Sequence, residues 1–248
     1  MIEIKNIWKK FGDRTIIGGV SAQFEDSNNS LIIGASGTGK SVLLKCIVGL
    51  IKPDEGDVLF DGRSLYNSSP KEIKKIRREM GMLFQGGALF DSLTVEENVR
   101  FPMDMMSHET PDSEKKDRVF HSLERVGLEQ AAQKKPSELS GGMRKRVGIA
   151  RAIVMNPRYL FCDEPNSGLD PMTSIKIDEL ISEITDEYKM TTLVVTHDMN
   201  SVMGIGEYIL FLHQGRKEWE GDRESILHSD NQALRDFVFA SKIMESLL

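Results

Sequence analysis

Apolar and polar positions alternate from Ile2 to Ile7 and stop alternating at Gly12-Asp13, so the chain opens as a strand that runs into a turn. Leu31-Ile32-Ile33 follows a different pattern, unbroken apolar residues ending in glycine, as expected of a short strand buried on both faces. Val42 to Leu50 has helical spacing, and Val58-Leu59-Phe60, flanked by Asp54-Glu55-Gly56-Asp57 and Asp61-Gly62, predicts a hairpin element. Helical spacing dominates from Val95 to Met155, with Pro102, Pro111 and Pro136 as breakers. Strand character returns at Tyr159 to Cys162. A helix over Thr173 to Tyr188 follows, then strands over Thr191 to Thr196 and Tyr208 to Leu212. Strands alternating with helices predict an α/β fold with a parallel sheet and helices on its faces, the central helical block being an insertion. From Asp222 onward, Leu234, Phe237, Val238, Ile243, Met244, Leu247 and Leu248 form one apolar helical face, which predicts a C-terminal helical extension over 222–248. That face docks either on the chain's own core or on a partner subunit, and both readings are open.

Composition narrows the class. Thirty-two basic against 38 acidic residues give a net charge of −6, which opposes a general nucleic-acid binder. The basic stretches Lys71–Arg78 and Arg144–Arg151 read as solvated helix faces. Two cysteines, Cys46 and Cys162, cannot build a disulfide framework, and each lies in an apolar run, so reduced and buried thiols are expected. The opening MIEIKNIWKK lacks the apolar stretch of a signal peptide, and no run approaches the ~18 apolar residues of a membrane span. The expectation is a soluble intracellular protein. No Pro/Gly/Ser-rich linker divides the 248 residues, which reads as a single domain over 1–248.

Gly34-Ala35-Ser36-Gly37-Thr38-Gly39-Lys40-Ser41 fits the phosphate-loop pattern and sits between an apolar strand and an apolar helix. Glycines let successive backbone N–H groups converge on phosphate oxygens, and the following helix adds the positive end of its dipole. Lys40 is expected to bridge the β- and γ-phosphates, and the Ser41 hydroxyl to ligate Mg²⁺. A nucleoside triphosphate is the ligand this segment predicts. Tyr159-Leu160-Phe161-Cys162-Asp163-Glu164 is an apolar strand that ends in two carboxylates. Asp163 is placed to hold the metal through its waters, and Glu164, one residue on, to accept a proton from the attacking water. His197 ends the apolar strand Thr191 to Thr196 on the side where such folds bind ligands. Gln85 ends Met82-Leu83-Phe84 and is positioned to sense the metal and the water. The other four histidines are scattered without ligand spacing, which opposes a protein-bound transition metal.

Leu139-Ser140-Gly141-Gly142-Met143 opens a basic helix, and Ser167-Gly168-Leu169-Asp170 follows the two carboxylates. Taken in order with the phosphate loop, Gln85, Asp163-Glu164 and His197, these segments resemble an ABC-type ATPase subunit over nearly the whole chain. The resemblance implies a P-loop NTPase fold with a parallel-sheet core, an N-terminal antiparallel β region and an inserted helical subdomain at 87–155. It also implies a head-to-tail pair of copies in which Ser140, Gly141 and Gly142 of one contact the γ-phosphate held by the other, with Asp170 beside the nucleotide. Phe11 matches the position where family members stack an aromatic on adenine; a core phenylalanine beside a turn is the other reading. Asn166 departs from the small residue or threonine usual after Glu-Pro, and Met143 replaces a common glutamine.

A narrower likeness lies in Phe84 to Val95, in Asn98-Val99-Arg100-Phe101-Pro102 and in Ser140 to Val147. These are similar to the ATPases of mammalian-cell-entry (MCE) domain lipid transporters, the Mla-type phospholipid systems. That resemblance implies an integral membrane permease and an MCE-domain substrate-binding protein as partners, and a peripheral position on the inner, cytoplasmic face of the cytoplasmic membrane. The expected cycle is an ATP-driven clamp: two copies close over ATP and Mg²⁺, Glu164 deprotonates water, and His197 and Lys40 stabilise the developing charge. The segment Gln85–Pro102 is expected to receive a short permease helix, with Phe90 and Leu93 as apolar anchors or, alternatively, as helical core. An ABC ATPase serving another importer or exporter is the main alternative; a nucleic-acid-associated ABC ATPase and a GTP switch fit the chain less well.

Overall fold

In the computed structural model, which describes residues 1–239, the unbroken apolar runs form strands with no exposed face. The chain order is β1 (Ile2–Phe11), β2 (Arg14–Phe24), β3 (Asn29–Ile33), α1 (Lys40–Ile47), β4 (Glu55–Phe60), β5 (Arg63–Ser64) and α2 (Pro70–Arg78). Then come β6 (Met80–Leu83), α3 (Val95–Met106), α4 (Asp112–Arg125), α5 (Gly141–Ile153), β7 (Tyr159–Asp163) and α6 (Pro171–Tyr188). β8 (Thr191–Thr196), α7 (Met199–Ile205), β9 (Tyr208–His213), β10 (Arg216–Gly221) and α8 (Gln232–Phe239) complete it.

Two sheets result. One is antiparallel, in the order β2-β1-β4-β5, and the other runs β10-β9-β3-β8-β7-β6. In the second, β9, β3, β8, β7 and β6 are parallel and only β10 runs antiparallel, along the edge. Side chains alternate across a strand, so each parallel strand feeds two cores. Leu31, Ile33, Leu160, Cys162, Val194, Ile209 and Phe211 face the helices α3 to α8. Ile32, Tyr159, Phe161, Leu193, Val195, Leu210 and Leu212 face α1 and the antiparallel sheet. Cys46 and Cys162 are both buried, one in each core.

Three predicted features need correction. The helix expected from Val42 to Leu50 ends at Ile47, because Gly49 adopts a left-handed φ of 76° that closes the turn, and Leu50 is left exposed. Pro102 does not break its helix but lies inside α3. A capping box secures that helix, with Glu97 N–H donating to Thr94 at 3.2 Å and Thr94 N–H to Glu97 at 2.7 Å, and burial of Val95, Val99 and Met103 carries it past the missing donor. Pro111 and Pro136 do stand at element starts. The basic face of α5 is not solvated throughout: Lys145 and Arg151 are buried, whereas α2 buries only Ile76.

The predicted C-terminal helix is in part seen as α8, where Leu234 and Val238 are buried and the Phe237 ring lies 5.4 Å from Phe211. The described part of that face therefore docks on the chain's own core. Ile243, Met244, Leu247 and Leu248 lie outside the described residues. Among the described residues, no helix is long and apolar enough to cross a membrane.

Candidate active site

Four adjacent parallel strands, in the order β3, β8, β7, β6, point their carboxyl ends to one edge of the sheet, and each is followed by predicted site residues. The phosphate loop follows β3, His197 follows β8, Glu164 follows β7, and Gln85 lies just beyond β6. Parallel α/β sheets bind ligands at this carboxyl edge. The loop's path demands glycine at two points. A Cβ on Gly34 would stand 2.3 Å from the Leu212 carbonyl oxygen, and Gly39, at φ 104°, would drive one to 2.8 Å from Ile17. Gly37, by contrast, faces open space, with nothing within 4 Å of a Cβ there. The loop thus leaves room above its backbone N–H groups at the start of α1, where an anion is favoured.

Lys40 folds back under the loop and is buried. Its Nζ donates to Gly34 O at 2.7 Å and Ala35 O at 3.1 Å, and lies 3.8 Å from Glu164 Oε1. Burial lowers its pKa, against the attraction of Glu164 and Asp163. The next residue, Ser41, donates from Oγ to Asp163 Oδ1 at 2.9 Å. A hydroxyl and a buried carboxylate in contact form an all-oxygen pair that suits a hard divalent cation such as Mg²⁺. Glu164 Oε2 is 2.8 Å from His197 Nδ1, so Lys40, Glu164 and His197 form one chain of polar contacts. Glu164 itself has φ 49°, in the left-handed region that L residues rarely occupy. Gln85 presents an exposed side chain, and its main-chain oxygen accepts from Lys145 Nζ and from Ser167 Oγ at 3.3 Å.

Not every predicted residue joins this cluster. Among the described residues, no hydrogen bond links Ser140, Gly141 or Gly142 to the phosphate loop. Ser140 caps α5, its Oγ accepting from Met143 N–H at 3.3 Å. Gly141 and Gly142 line a cleft of about 710 Å³ shared with Gly168, Leu169 and Asp170. Asp170 caps α6, accepting from Thr173 N–H at 3.0 Å and Thr173 Oγ1 at 2.6 Å. Phe11 is 51% exposed at the β1–β2 turn, with Lys9 Nζ 5.5 Å from its ring centre, so it is not a core residue. A second cavity, about 440 Å³ and mostly apolar, opens beside β6 between Met82, Phe84, Phe90, Phe101, Met105 and Met155. Phe90 is 44% exposed on its wall and packs against Phe101 at 4.6 Å. Leu93 does not line it. Buried Asn98 holds the intervening loop, with Nδ2 donating to Phe90 O at 3.1 Å and Thr94 O at 2.9 Å, and Oδ1 accepting from Phe90 N–H at 2.8 Å.

Two polar groups behind the cluster were named in the sequence without the role the structure gives them. Asn166 is buried, with Nδ2 donating to Asp178 Oδ1 at 2.8 Å and Ser201 Oγ at 3.0 Å. It therefore ties the loop after β7 to α6 and α7. Burial pushes the Asp178 carboxyl up to about 6, although Ser201 and Asn166 bond to it. The other group is Lys145, four residues before Ile149 and seven before Ala152 on the buried stripe of α5. That spacing was the available sign that its ammonium points inward.

Residues 17–167 match the family model described as ABC transporter. The chain is 39% identical over 242 residues to a probable ribonucleotide transport ATP-binding protein, mkl, of Mycobacterium leprae (strain TN), covering 98% of this chain and 70% of that protein. It is 38% identical over 238 residues to the intermembrane phospholipid transport system ATP-binding protein MlaF of Haemophilus influenzae, covering 96% of this chain and 90% of that protein. A methionine import ATP-binding protein, MetN, of Clostridioides difficile is 37% identical, with 98% and 75% covered. Among solved structures, the dimeric post-hydrolysis state of the ATP-binding cassette MJ0796, bound to ADP and Pi, superposes with a TM-score of 0.81 at 35% identity, covering 90% of this chain and 99% of that one.

Proposed function

Because this chain belongs to the ABC transporter family as an ATP-hydrolysing subunit, we propose that it powers MCE-associated transport of phospholipid or another hydrophobic molecule across a bacterial envelope, as an ATP-closed dimer. One observation carries the clamp: Lys40, Glu164 and His197 form one run of polar contacts beside the Ser41–Asp163 pair, whereas Ser140–Gly142 face a cleft elsewhere. A second copy would bring its own Ser140–Gly142 turn to the open side of the phosphate loop. There the serine hydroxyl, two glycine amides and the α5 N-terminus would meet the terminal phosphate.

In the proposed hydrolysis, Glu164 accepts a proton from water as the water oxygen bonds to the γ-phosphorus. The bond from that phosphorus to the oxygen bridging it to the β-phosphate breaks, releasing ADP and inorganic phosphate. Lys40 leaves the Gly34 and Ala35 carbonyls to sit between the β- and γ-phosphates, and Phe11 offers its ring to the adenine. His197 orients the Glu164 carboxylate through Nδ1 and, when protonated, donates from Nε2 to the terminal phosphate. Ser41, Asp163 and the Gln85 side chain would hold Mg²⁺, which when bound neutralises charge on the phosphates.

The apolar cavity beside Gln85 suits a short amphipathic permease helix, with Phe90 rather than Leu93 as the anchor. Such docking places the chain peripherally on the cytoplasmic face of the membrane. The lipid assignment draws on the Phe84–Pro102 segment and on MlaF, whose length the chain nearly spans. MetN, at similar identity, favours a small-molecule importer as the second reading. Affinity isolation from detergent-solubilised membranes, with mass spectrometry of proteins and lipids, separates them. A permease, an MCE-domain protein and phospholipid are expected; a permease with a small-molecule receptor and no lipid enrichment would replace the lipid reading.

A further inference from the structure

Lys145 is 5% exposed and, among the described residues, pairs with no carboxylate. Burying an ammonium without a counter-ion costs several kcal/mol, roughly. A leucine or methionine on this stripe of α5 would fill the space without that cost. What the ammonium does make is three hydrogen bonds to neutral acceptors: Gln85 O, Glu164 O at 3.2 Å and Ser167 Oγ at 3.3 Å. These use all three of its N–H groups. The acceptors lie beyond β6 and β7, at the sheet edge that carries the site.

Glu164 explains why such a contact is worth keeping. Its left-handed φ of 49° is a strained conformation for a residue with a side chain, at a cost of about 1–3 kcal/mol. Three hydrogen bonds hold it there. Its N–H donates to Val195 O at 2.9 Å, and its carbonyl accepts from Lys145 Nζ and from Ser167 N–H at 3.2 Å. Relaxation of φ would swing the carboxylate away from Lys40 and His197. Arg151, two turns further along α5, holds the rest of the Gln85 loop by donating to Gly87 O at 2.6 Å and Ala88 O at 2.8 Å. The helix that begins at Ser140–Gly142 is thereby fastened to the loop that bears Gln85.

We infer that Lys145 is a positioning residue for hydrolysis: its ammonium locks the backbone of Glu164 and Gln85 to α5, so that the Ser140–Gly142 turn and the Glu164 carboxylate of one chain move together. The inference rests on the reading of Glu164 as the base. Lys145 bonds the main-chain oxygen of Glu164 rather than its carboxylate, and so acts through Glu164.

Steady-state ATP hydrolysis by K145M and K145Q, beside wild type and E164Q, tests it. Misplacing a reacting group by about 1 Å costs on the order of 100-fold, so K145M should lower kcat about 30- to 100-fold while KM for ATP stays within about threefold. K145Q, which keeps N–H donors, should recover part of the lost rate. A kcat within about threefold of wild type in K145M overturns the inference, and so does a matched deterioration of kcat and KM. If K145M does not fold, K145Q and S167A decide: each should lower kcat several-fold at constant KM, and unchanged kcat in both overturns it. E164Q keeps the premise separate. Normal turnover in E164Q removes the base, whereas a dead E164Q beside a fully active K145M removes Lys145 alone.

Discussion

The residues around Lys40 and those around Ser140 differ in almost every physical respect. Asp163 and Glu164 stand at the end of a strand buried on both faces, Lys40 and Ser41 open the helix after another, and each has a partner within the group. Ser140 is exposed and, among the described residues, its side chain bonds only within its own helix, and Gly141 and Gly142 border an open cleft. The first group carries its own counter-charges. The second offers uncompensated donors to an anion the same chain does not bring to it. On the proposed reading the contrast puts the chemistry between chains, and it can be broken from either side.

The largest effect is expected from Glu164→Gln. Loss of a general base should lower kcat roughly 10²- to 10⁴-fold, leave ATP binding intact and hold two copies together, as read by phosphate release and solution scattering with ATP. Normal hydrolysis would remove Glu164 from the scheme. Lys40→Ala comes next: losing a charge-assisted contact of about 2–3 kcal/mol should weaken ATP roughly 30- to 150-fold in calorimetry, and unchanged affinity would contradict the phosphate-loop assignment. Ser140→Ala should cost about tenfold in kcat and roughly 1 kcal/mol of helix stability from the lost cap, with the ATP affinity of a single chain unaltered. Mixing K40A with S140A chains sharpens the comparison, because mixed pairs regain one intact site; activity no higher than the sum of the two alone would place both groups in one chain.

The smallest effect on turnover lies behind the buried group, and it is read as stability instead. Folded Asp178 holds its proton up to about pH 6, against an ordinary 3.8, so its contribution to stability is present below about pH 4 and is lost as pH rises to about 6. Asp178→Asn cannot ionise. It should therefore exceed wild type in stability by up to about 3 kcal/mol at pH 7–8 and converge with it below about pH 4, in thermal melts. A constant difference across that range would assign the effect to packing instead.

The sequence made the buried group legible because its strands are covered on both faces. β3, β7 and β8 therefore read as unbroken apolar runs, and the residues that follow them announce their chemistry. β10 was not legible: its half-exposed RKEWEG alternates charge with partial burial on a sheet edge. Nor was α7, only seven residues long and lying directly after His197 and Asp198. Pro102 misled because a local rule was outweighed by a capping box and three buried residues that only tertiary packing brings to bear. Lys145 and Asn166 were obscure for a related reason. Their partners are main-chain carbonyls and side chains 12 to 60 residues away, and no local pattern encodes that pairing.

The placement of the two thiols has a practical consequence. Burial pushes Cys46 up to about 11 and Cys162 higher still, and neither side chain reaches solvent. Both should resist maleimides while the fold is intact. A single cysteine introduced at an exposed position would then be the sole reactive handle, so spin or fluorophore labels could follow the spacing between subunits through turnover without first stripping native sulfur from the chain.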